Sequence, residues 1–507
     1  MEIPFYLLVL GGIVWCILVA VVILYTIYTF YQHWKYFHIP GPPRGSYLWG
    51  NLKQIKRAHD AGKTLHFNIL VDWAKQYGKV YKYFSLHRVT VVVLDPQALQ
   101  DLLGSGIHPK PHTYSELSSL CEERFMGKSL MTEVDNKDWA PRRKFLGTAF
   151  QKSCLTSLFN KLQHETDLMV DRLKTSADGV TIVKMFDEFC MFTASFLVKA
   201  FCGSEENIYL DAKLVIQAIN HGFDHPLDKY NPLKMKYRQE VNEATRRIRQ
   251  TFRKAIHSRL KGKKDGLELP QDMLSVLLQN GDVDLMPEDI VDEFVSLLMA
   301  GFETTASTLS FCLMELCRHP SLLKKLLAEL QTVLGNGRKP EISDLDKLEY
   351  LEKVVRETLR MYPVALGTMR VLKEDRIYNN LKIPANTTIM VSMVAMARTE
   401  LFYQKPLKYD PDRFSSLNEV QKGAHCPFSL GPRNCIGKDL TMVSKWVRWN
   451  MKIRTDLIGF LPHVASDIVT CLPFHQVSPS RSSISIIAIL QFLLIFYSPI
   501  LFSIFSN

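Results

Sequence analysis

The segment 428–437 places one cysteine between two glycines, in a short loop that leads into a predicted helix. Cys435 follows Gly431 and precedes Gly437. Backbone N–H groups at a helix start can hydrogen-bond a sulfur anion and hold it as a thiolate. Glycine lets the backbone approach a flat ligand closely, and Arg433 can pair with a carboxylate of that ligand. The pattern predicts a thiolate ligand, against the alternative of a buried structural cysteine.

This loop resembles the haem-binding signature of the cytochrome P450 enzymes. The fixed positions of that signature are occupied here by Phe428, Gly431, Arg433, Cys435 and Gly437. The resemblance implies a mostly α-helical fold with a minor β-sheet, and Cys435 as the axial ligand of the iron of haem b. It also implies an oxidoreductase, a monooxygenase that uses dioxygen. Its electrons come from NADPH through the cytochrome P450 reductase, which carries FAD and FMN.

Further haem contacts follow from the same resemblance. Trp139 and Arg143 are four residues apart, so a helix would place them on one face. In the resembled enzymes this pair holds a haem propionate, and Arg370 matches another propionate-binding arginine. Ala300 matches a cofactor contact on the long helix of the family. Taken alone, a tryptophan and an arginine at this spacing are usually surface packing.

The stretch 300–305 combines glycine, glutamate and threonine inside a predicted long helix. Such residues are costly in a buried helix, and a threonine that bonds back to a carbonyl can bend the helix. The resemblance implies that the bend makes room for dioxygen and that Glu303 and Thr304 relay protons. Ala365 and Phe302 are candidates for the substrate pocket, and core packing is an equally good interpretation of each.

A charge network is the last element of the resemblance. Glu357 and Arg360 are three residues apart and can pair on one helix face. The resemblance implies that Arg413 joins them in a buried network behind the haem loop. Such a network is a weak stabiliser but a plausible device for fixing register.

The amino-terminal run predicts a membrane anchor. Residues 3–30 carry no charged side chain and are long enough to cross a bilayer as a helix. Basic residues follow this run, which places the body in the cytosol. We expect a transmembrane helix over 1–31, a proline-rich hinge or plain linker over 32–44, and the catalytic domain over 45–442. The resemblance implies the endoplasmic reticulum membrane.

Composition adds little to these motifs. Hydrophobic residues make up 47% of the 507 residues, which is ordinary for a folded protein. The net charge of +11 indicates either a basic solvated surface or attraction to an acidic partner. No nucleic-acid module is recognisable, and the scattered cysteines favour a reducing compartment. One hypothesis is a basic docking patch for the reductase, formed by Arg142, Arg143, Lys144 and Lys438.

Periodicity predicts helices separated by few strands. Strand patterns cover 79–94 and 381–393, and a basic solvated loop is predicted over 261–266. Helical patterns are predicted over 155–175, 241–260, 288–318, 321–334 and 348–361.

From residue 38 to Met442 the chain resembles the sterol side-chain hydroxylases within the family. This implies a sterol substrate, most specifically cholesterol at side-chain position 24, with another lipid or a xenobiotic as the alternative.

The resemblance ends at Met442, and residues 443–507 indicate either a second membrane segment or a translated intron. We favour the intron, because Val443-Ser444 can be encoded by GTAAGT, a splice-donor sequence. Loss of the family's last helix and sheet predicts a form that binds haem weakly. A haem protein without oxygenase activity and a membrane scaffold are the competing functions.

Overall fold

The computed structural model describes residues 5–443, apart from 177, 179–180, 225–227, 229–230, 280–285 and 336–339. In this part of the chain helices predominate. The α-helices are α1 Phe5–Lys35, α2 Leu52–Asp60, α3 Leu70–Tyr77, α4 Pro96–Leu99, α5 Asn136–Gly147, α6 Lys152–Ser157, α7 Phe159–Thr175, α8 Met185–Cys202, α9 Tyr209–Asp224, α10 Met235–Lys264, α11 Met273–Gln279, α12 Pro287–Arg318, α13 Pro320–Leu334, α14 Glu349–Met361, α15 Met393–Arg398, α16 Glu419–Ala424 and α17 Lys438–Val443. The β-strands are β1 Val80–Ser85, β2 Arg88–Val93, β3 Ser119–Leu120, β4 Glu123–Arg124, β5 Gly367–Val371, β6 Arg376–Tyr378, β7 Leu381–Ile383 and β8 Thr388–Ser392. The predicted fold class, mostly α with a minor sheet, is confirmed.

Within the described residues, two helices are long and apolar enough to cross a membrane. One is the stretch Gly12–Lys35 of α1, whose side chains are largely exposed, and the other is α12, which is mostly buried inside the body. Burial identifies α12 as a core helix, whereas the exposed apolar surface of α1 suits a lipid environment. The helix continues to Lys35, four residues into the hinge predicted from residue 32.

The main sheet has four strands in the order β1-β2-β8-β5. β1 and β2 form an antiparallel hairpin, β2 pairs with β8 in parallel, and β8 pairs with β5 antiparallel. Val91, Val92 and Val93 are fully buried, as expected for a β-branched run covered on both faces. The pairing of β8 with β5 sets Arg370 opposite Ile389, on the edge strand β5.

The helical core is built around α12. Pro287 occupies the first turn of this helix, where its missing N–H costs nothing. α8 packs closely beside α12, because a Cβ on Gly301 would lie 2.8 Å from Leu197 Cδ1. The glycine of the 300–305 stretch is therefore explained by helix packing.

The structure corrects two local predictions. The pattern 155–175 forms two helices, α6 and α7, with Leu158 between them. The loop predicted over 261–266 is wrong in its first part, because α10 continues to Lys264. Lysines in the last turn interact favourably with the helix dipole, so a basic run can end a helix. The predicted tail, 443–507, lies outside the described residues apart from Val443.

Candidate functional site

The cysteine loop, residues 428–437, is held by its own backbone. The N–H of Cys435 donates to the carbonyl oxygen of Phe428 at 2.9 Å. Gly431 has φ of +72°, and a Cβ at this position would lie 1.9 Å from the carbonyl oxygen of Leu103. Both the left-handed conformation and the close approach require glycine at this position. The loop is thus fixed against the segment that follows α4.

The Cys435 thiol is accessible, although protein surrounds it. Burial raises its pKa, while a backbone hydrogen bond from Gly437 and the charge of Arg143 lower it. Among the described residues no group of three His, Cys, Asp or Glu could hold a metal ion. A single thiolate presented by a loop fits the donor set of a haem-thiolate site.

Arg433 fastens the loop to the start of α5. It donates to Asn136 Oδ1 at 2.8 Å and to the carbonyl oxygens of Glu133 and Val134 at 2.7 and 3.1 Å. Its guanidinium also lies 4.5 Å from the ring centroid of Trp139, which is buried. Trp139 therefore contacts the cysteine loop through a cation–π interaction.

Arg143 also holds the cysteine loop. It donates to the carbonyl oxygen of Asn434 at 3.1 Å and to Asn434 Oδ1 at 2.8 Å. This two-pronged contact fixes the residue directly before Cys435. Burial lowers the pKa of Arg143, as expected where a guanidinium is removed from water.

The predicted docking patch is only partly surface. The Arg142 side chain is mostly buried and donates to Asp289 Oδ1 at 3.0 Å. Arg143 is half-buried and bonds to Asn434, so both arginines are less available to a partner than the patch hypothesis expects. A guanidinium that satisfies its donors inside the protein is not free to steer a partner. Lys144 and Lys438 are exposed, as predicted.

Besides Arg143, the cations Lys110, Arg370 and Arg433 cluster near the loop, and Lys110 was missed from the sequence. Burial and the charges of Arg433 and Arg370 lower the pKa of Lys110 to about 7. Burial, together with Arg370, lowers the pKa of Arg433 to about 10. Lys110 donates to the carbonyl oxygen of Met131 at 3.1 Å, and Arg370 is 3% exposed. Crowded, buried cations favour an anionic ligand, so the cluster fits the propionates of a haem. A lone lysine between two prolines gave no signal in the sequence.

The threonine segment, residues 300–305 of α12, has the expected back-bond. Thr304 Oγ1 donates to the carbonyl oxygen of Ala300 at 2.7 Å. Thr304 is exposed, whereas Thr305 and Ala306 are buried. An exposed side chain midway along a mostly buried helix is what a residue that lines a ligand site would show. The helix remains α-helical throughout, and Ala300 is half-buried.

Glu303 lies on a different side of α12 from Thr304. Burial raises the pKa of Glu303 to about 7. Its charge acts on the thiol of Cys190 in α8, whose pKa burial and Glu303 both raise. Also on α8, Thr193 Oγ1 donates a hydrogen bond to the carbonyl oxygen of Phe302 at 2.9 Å. Thr193 was not identified from the sequence, because a lone threonine in an apolar helix carries no pattern.

The two pocket candidates differ in exposure. Phe302 is 2% exposed and belongs to the main hydrophobic core, so the core-packing interpretation is favoured for it. Ala365 is exposed in the segment before β5. Phe428 and Ile436 of the cysteine loop pack against the same core as Phe302. The cysteine loop and the threonine segment thus border one core.

The predicted charge network is assembled. Arg360 donates to both carboxylate oxygens of Glu357, from Nε at 2.7 Å and from Nη2 at 2.8 Å. Arg413 Nε lies 3.6 Å from Glu357 Oε1, and Arg360 also donates to the carbonyl oxygens of Ala397 and Pro406. Glu357 and Arg360 are buried. The network ties α14 to α15 and to the segment that follows it.

Comparison with known proteins agrees with this geometry. The family described as Cytochrome P450 matches residues 40–445. Cytochrome P450 4d2 of Drosophila melanogaster is 27% identical over 437 residues, which cover 80% of this chain and 85% of that protein. Cytochrome P450 3A29 of Sus scrofa is 24% identical over 455 residues, and Cytochrome P450 3A5 of Homo sapiens is 25% identical over 452 residues. Each of these two matches covers 85% of this chain and 88% of the relative. The family match ends three residues after Met442.

Proposed function

Because this chain belongs to the cytochrome P450 family of monooxygenases, we propose that it hydroxylates a sterol, most specifically cholesterol at side-chain position 24. The sterol assignment rests on the motif resemblance between residues 38 and 442. The monooxygenase chemistry rests above all on one observation. Cys435 is exposed, its thiol accepts a backbone hydrogen bond from Gly437, and the charge of Arg143 lowers its pKa.

The family binds haem b and takes electrons from NADPH through a reductase. In this chain Cys435 would hold the haem iron through its sulfur, and Phe428 and Ala300 are proposed haem contacts. When bound, haem supplies the thiolate-ligated iron at which dioxygen is activated. Lys110 and Arg370 offer charges to the propionates, and burial makes those charges strong.

Besides the propionate contacts implied by resemblance, Trp139, Arg143 and Arg433 have a second proposed role. Their observed bonds run to the cysteine loop and to the start of α5. We assign them the role of holding the loop in place, with Arg433 also close enough to Arg370 to share an anion. Glu357, Arg360 and Arg413 are proposed to fix the segments that follow α15 against α14.

Proton delivery is assigned to Glu303 and Thr304. With a pKa of about 7, Glu303 can both hold and release a proton near neutral pH. Thr304 is exposed, and its hydroxyl, which donates to the Ala300 carbonyl oxygen, can also accept a hydrogen bond from a bound ligand. Ala365 is proposed to line the substrate pocket.

The membrane is the proposed setting. α1 provides an apolar helix for the endoplasmic reticulum bilayer, with the body on the cytosolic side. A sterol dissolved in that bilayer reaches the enzyme without crossing water. The exposed lysines Lys144 and Lys438 remain candidates for contact with the reductase, and reversing both charges should raise the Michaelis constant for reductase and weaken its salt dependence.

Substrate titration of the haem-loaded protein tests the sterol assignment. Cholesterol should shift the ferric absorption spectrum, as a ligand that displaces water from the iron does. A fatty acid and an aromatic xenobiotic serve as comparison ligands. Turnover with the reductase should then give a product hydroxylated at side-chain position 24, identified by mass spectrometry. A larger response to either comparison ligand, or hydroxylation on the ring system alone, would contradict the assignment.

A second candidate is a haem protein with impaired turnover. The family match ends at residue 445, near the point where the motif resemblance ends. The ferrous carbon monoxide spectrum of the 507-residue chain separates the two candidates. A strongly red-shifted Soret band with product formation supports the monooxygenase. The same band without product, across all ligands tested, supports the impaired form. Sequencing the transcript across Met442 tests the intron explanation directly.

A further inference from the structure

The first two turns of α12 carry an ion-pair cluster that lies outside the site described above. Asp292 and Glu293 are fully buried, and Arg249 is nearly so. Burying ions costs more than a single pair returns unless the geometry is good, so stability alone does not explain the cluster. Its members are four carboxylates and four guanidinium groups: Glu288, Asp289, Asp292, Glu293, Arg124, Arg142, Arg249 and Arg253.

The loop between β4 and α5 wraps around the two buried carboxylates. Lys128 N–H donates to Asp292 Oδ2 at 2.9 Å, and Leu130 N–H donates to Glu293 Oε2 at 3.0 Å. Gly127 has φ of +46°, and a Cβ there would lie 1.9 Å from Asp292 Oδ2. The loop cannot move relative to α12 without breaking these bonds.

Arg142 on α5 closes the cluster from the other side. Its Nη2 donates to Asp289 Oδ1 at 3.0 Å, and its Nη1 lies 3.5 Å from Glu293 Oε1. The same Nη1 donates to the carbonyl oxygen of Lys128 at 3.0 Å. The next residue, Arg143, makes the two bonds to Asn434. Arg142 therefore connects α5 to the start of α12, and the adjacent Arg143 connects α5 to the cysteine loop.

We propose that Arg142 is a positioning residue, which fixes α5 against the start of α12 and thereby fixes the Arg143–Asn434 contact beside the cysteine ligand. The connection is contiguous, from Glu293 through Arg142 and α5 to Asn434, as energetic coupling between distant groups requires. This inference rests on the haem-thiolate part of the proposed function and is independent of the sterol assignment.

Glu293 makes the link sensitive to pH. Burial raises its pKa to about 7, the neighbouring Asp292 adds to the effect, and Leu130 N–H and Arg142 oppose it. The charged groups that face it are Arg142 from α5 and Asp292 from its own helix. Arg124, from β4, and Arg249, from α10, pair with Asp292. Above neutral pH Glu293 is ionised and attracts Arg142 more strongly, so the link tightens as pH rises.

Hydrogen exchange of the full-length protein tests the link without turnover. Arg142→Gln should accelerate exchange of the Leu130 amide and of the Cys435 amide by about tenfold or more, because local opening becomes easier. Arg253→Gln is the matched control: it breaks the Glu288 pair at the outer end of the cluster and should leave the Cys435 amide unchanged. Arg142→Lys retains the charge without the two-pronged guanidinium, and its Cys435 amide should exchange at a rate between those of the two glutamine variants.

The ferrous carbon monoxide complex gives a second readout. Arg142→Gln should lose thiolate ligation, seen as a smaller red-shifted band, and Glu293→Gln should remove the pH dependence of that band near pH 7. If the Leu130 amide exchanges faster in Arg142→Gln while the Cys435 amide and the band match the wild type, the proposal is overturned. If Arg142→Gln does not fold, the same criteria apply to Arg142→Lys. A failed sterol titration would leave these readouts unaffected.

Discussion

The cysteine loop and the threonine segment border the same core but are built by different means. The cysteine loop is fixed by backbone: the Cys435–Phe428 bond, and a glycine at a position that tolerates no side chain. The threonine segment is a regular helix in which the proposed function lies in side chains, the exposed Thr304 with its hydroxyl and Glu303 with a raised pKa. The difference teaches that a metal ligand needs a rigid frame, whereas a proton relay needs groups that can change partner or charge.

Substitution in the cysteine loop should change the free energy of unfolding most strongly. Gly431→Ala puts a methyl group 1.9 Å from the Leu103 carbonyl oxygen at a positive φ. The left-handed conformation and the overpacking should together lower the free energy of unfolding by about 2–5 kcal/mol. Urea unfolding and haem content measure this effect.

Gly437→Ala is the matched control for that variant. A Cβ at Gly437 would meet its nearest atom, Cys435 Sγ, at 3.9 Å, which is an ordinary contact. We expect a change in unfolding free energy below about 1 kcal/mol. Equal losses in the two variants would mean that the loop is not held by the Leu103 contact.

Substitution in the threonine segment should reduce activity without disturbing the fold. Thr304→Val removes the hydroxyl but conserves volume, so product formation should fall about tenfold to a hundredfold, the range for loss of a positioned proton donor. NADPH consumption should continue, and the carbon monoxide spectrum should stay red-shifted. Thr304→Ser keeps the hydroxyl and should recover most of the product. A full loss in the serine variant would refute the relay role.

Titration of Glu303 gives a smaller, graded effect. As a proton donor Glu303 must be protonated, so the rate of the proton-dependent step should fall as pH rises through about 7. Glu303→Gln should remove that inflection. Because the folded pKa is raised above the usual value, the favourable contribution of Glu303 to stability is full below about pH 4.5 and is lost as pH rises through 7. An unchanged pH–rate profile in the glutamine variant would exclude Glu303 as the donor.

How much the sequence predicts follows the same division. The fold class, the long helix α12 and the pairing of Glu357 with Arg360 were read correctly, because periodicity and short spacings are local properties of a chain. The inward direction of Arg142 is not predicted from the sequence. It depends on the carboxylates of Asp289 and Glu293, which lie 147 and 151 positions away in sequence. Lys110 was missed for the same reason. Long-range partners decide whether a charge is buried, and no single segment reveals them.

Lys110 allows the last and smallest test, on the cation cluster beside the loop. Its lowered pKa means that folding releases a proton when no anion is bound, so the haem-free protein should gain stability as pH rises from about 7 toward 10. Lys110→Met should flatten that slope. Bound haem propionates would supply the missing anion, so the slope should also shrink in the haem-loaded wild type. Thermal unfolding at several pH values, with and without haem, measures both. If the pH dependence of stability persists in Lys110→Met, another group causes it. If haem leaves that dependence unchanged in the wild type, Lys110 does not belong to the propionate site.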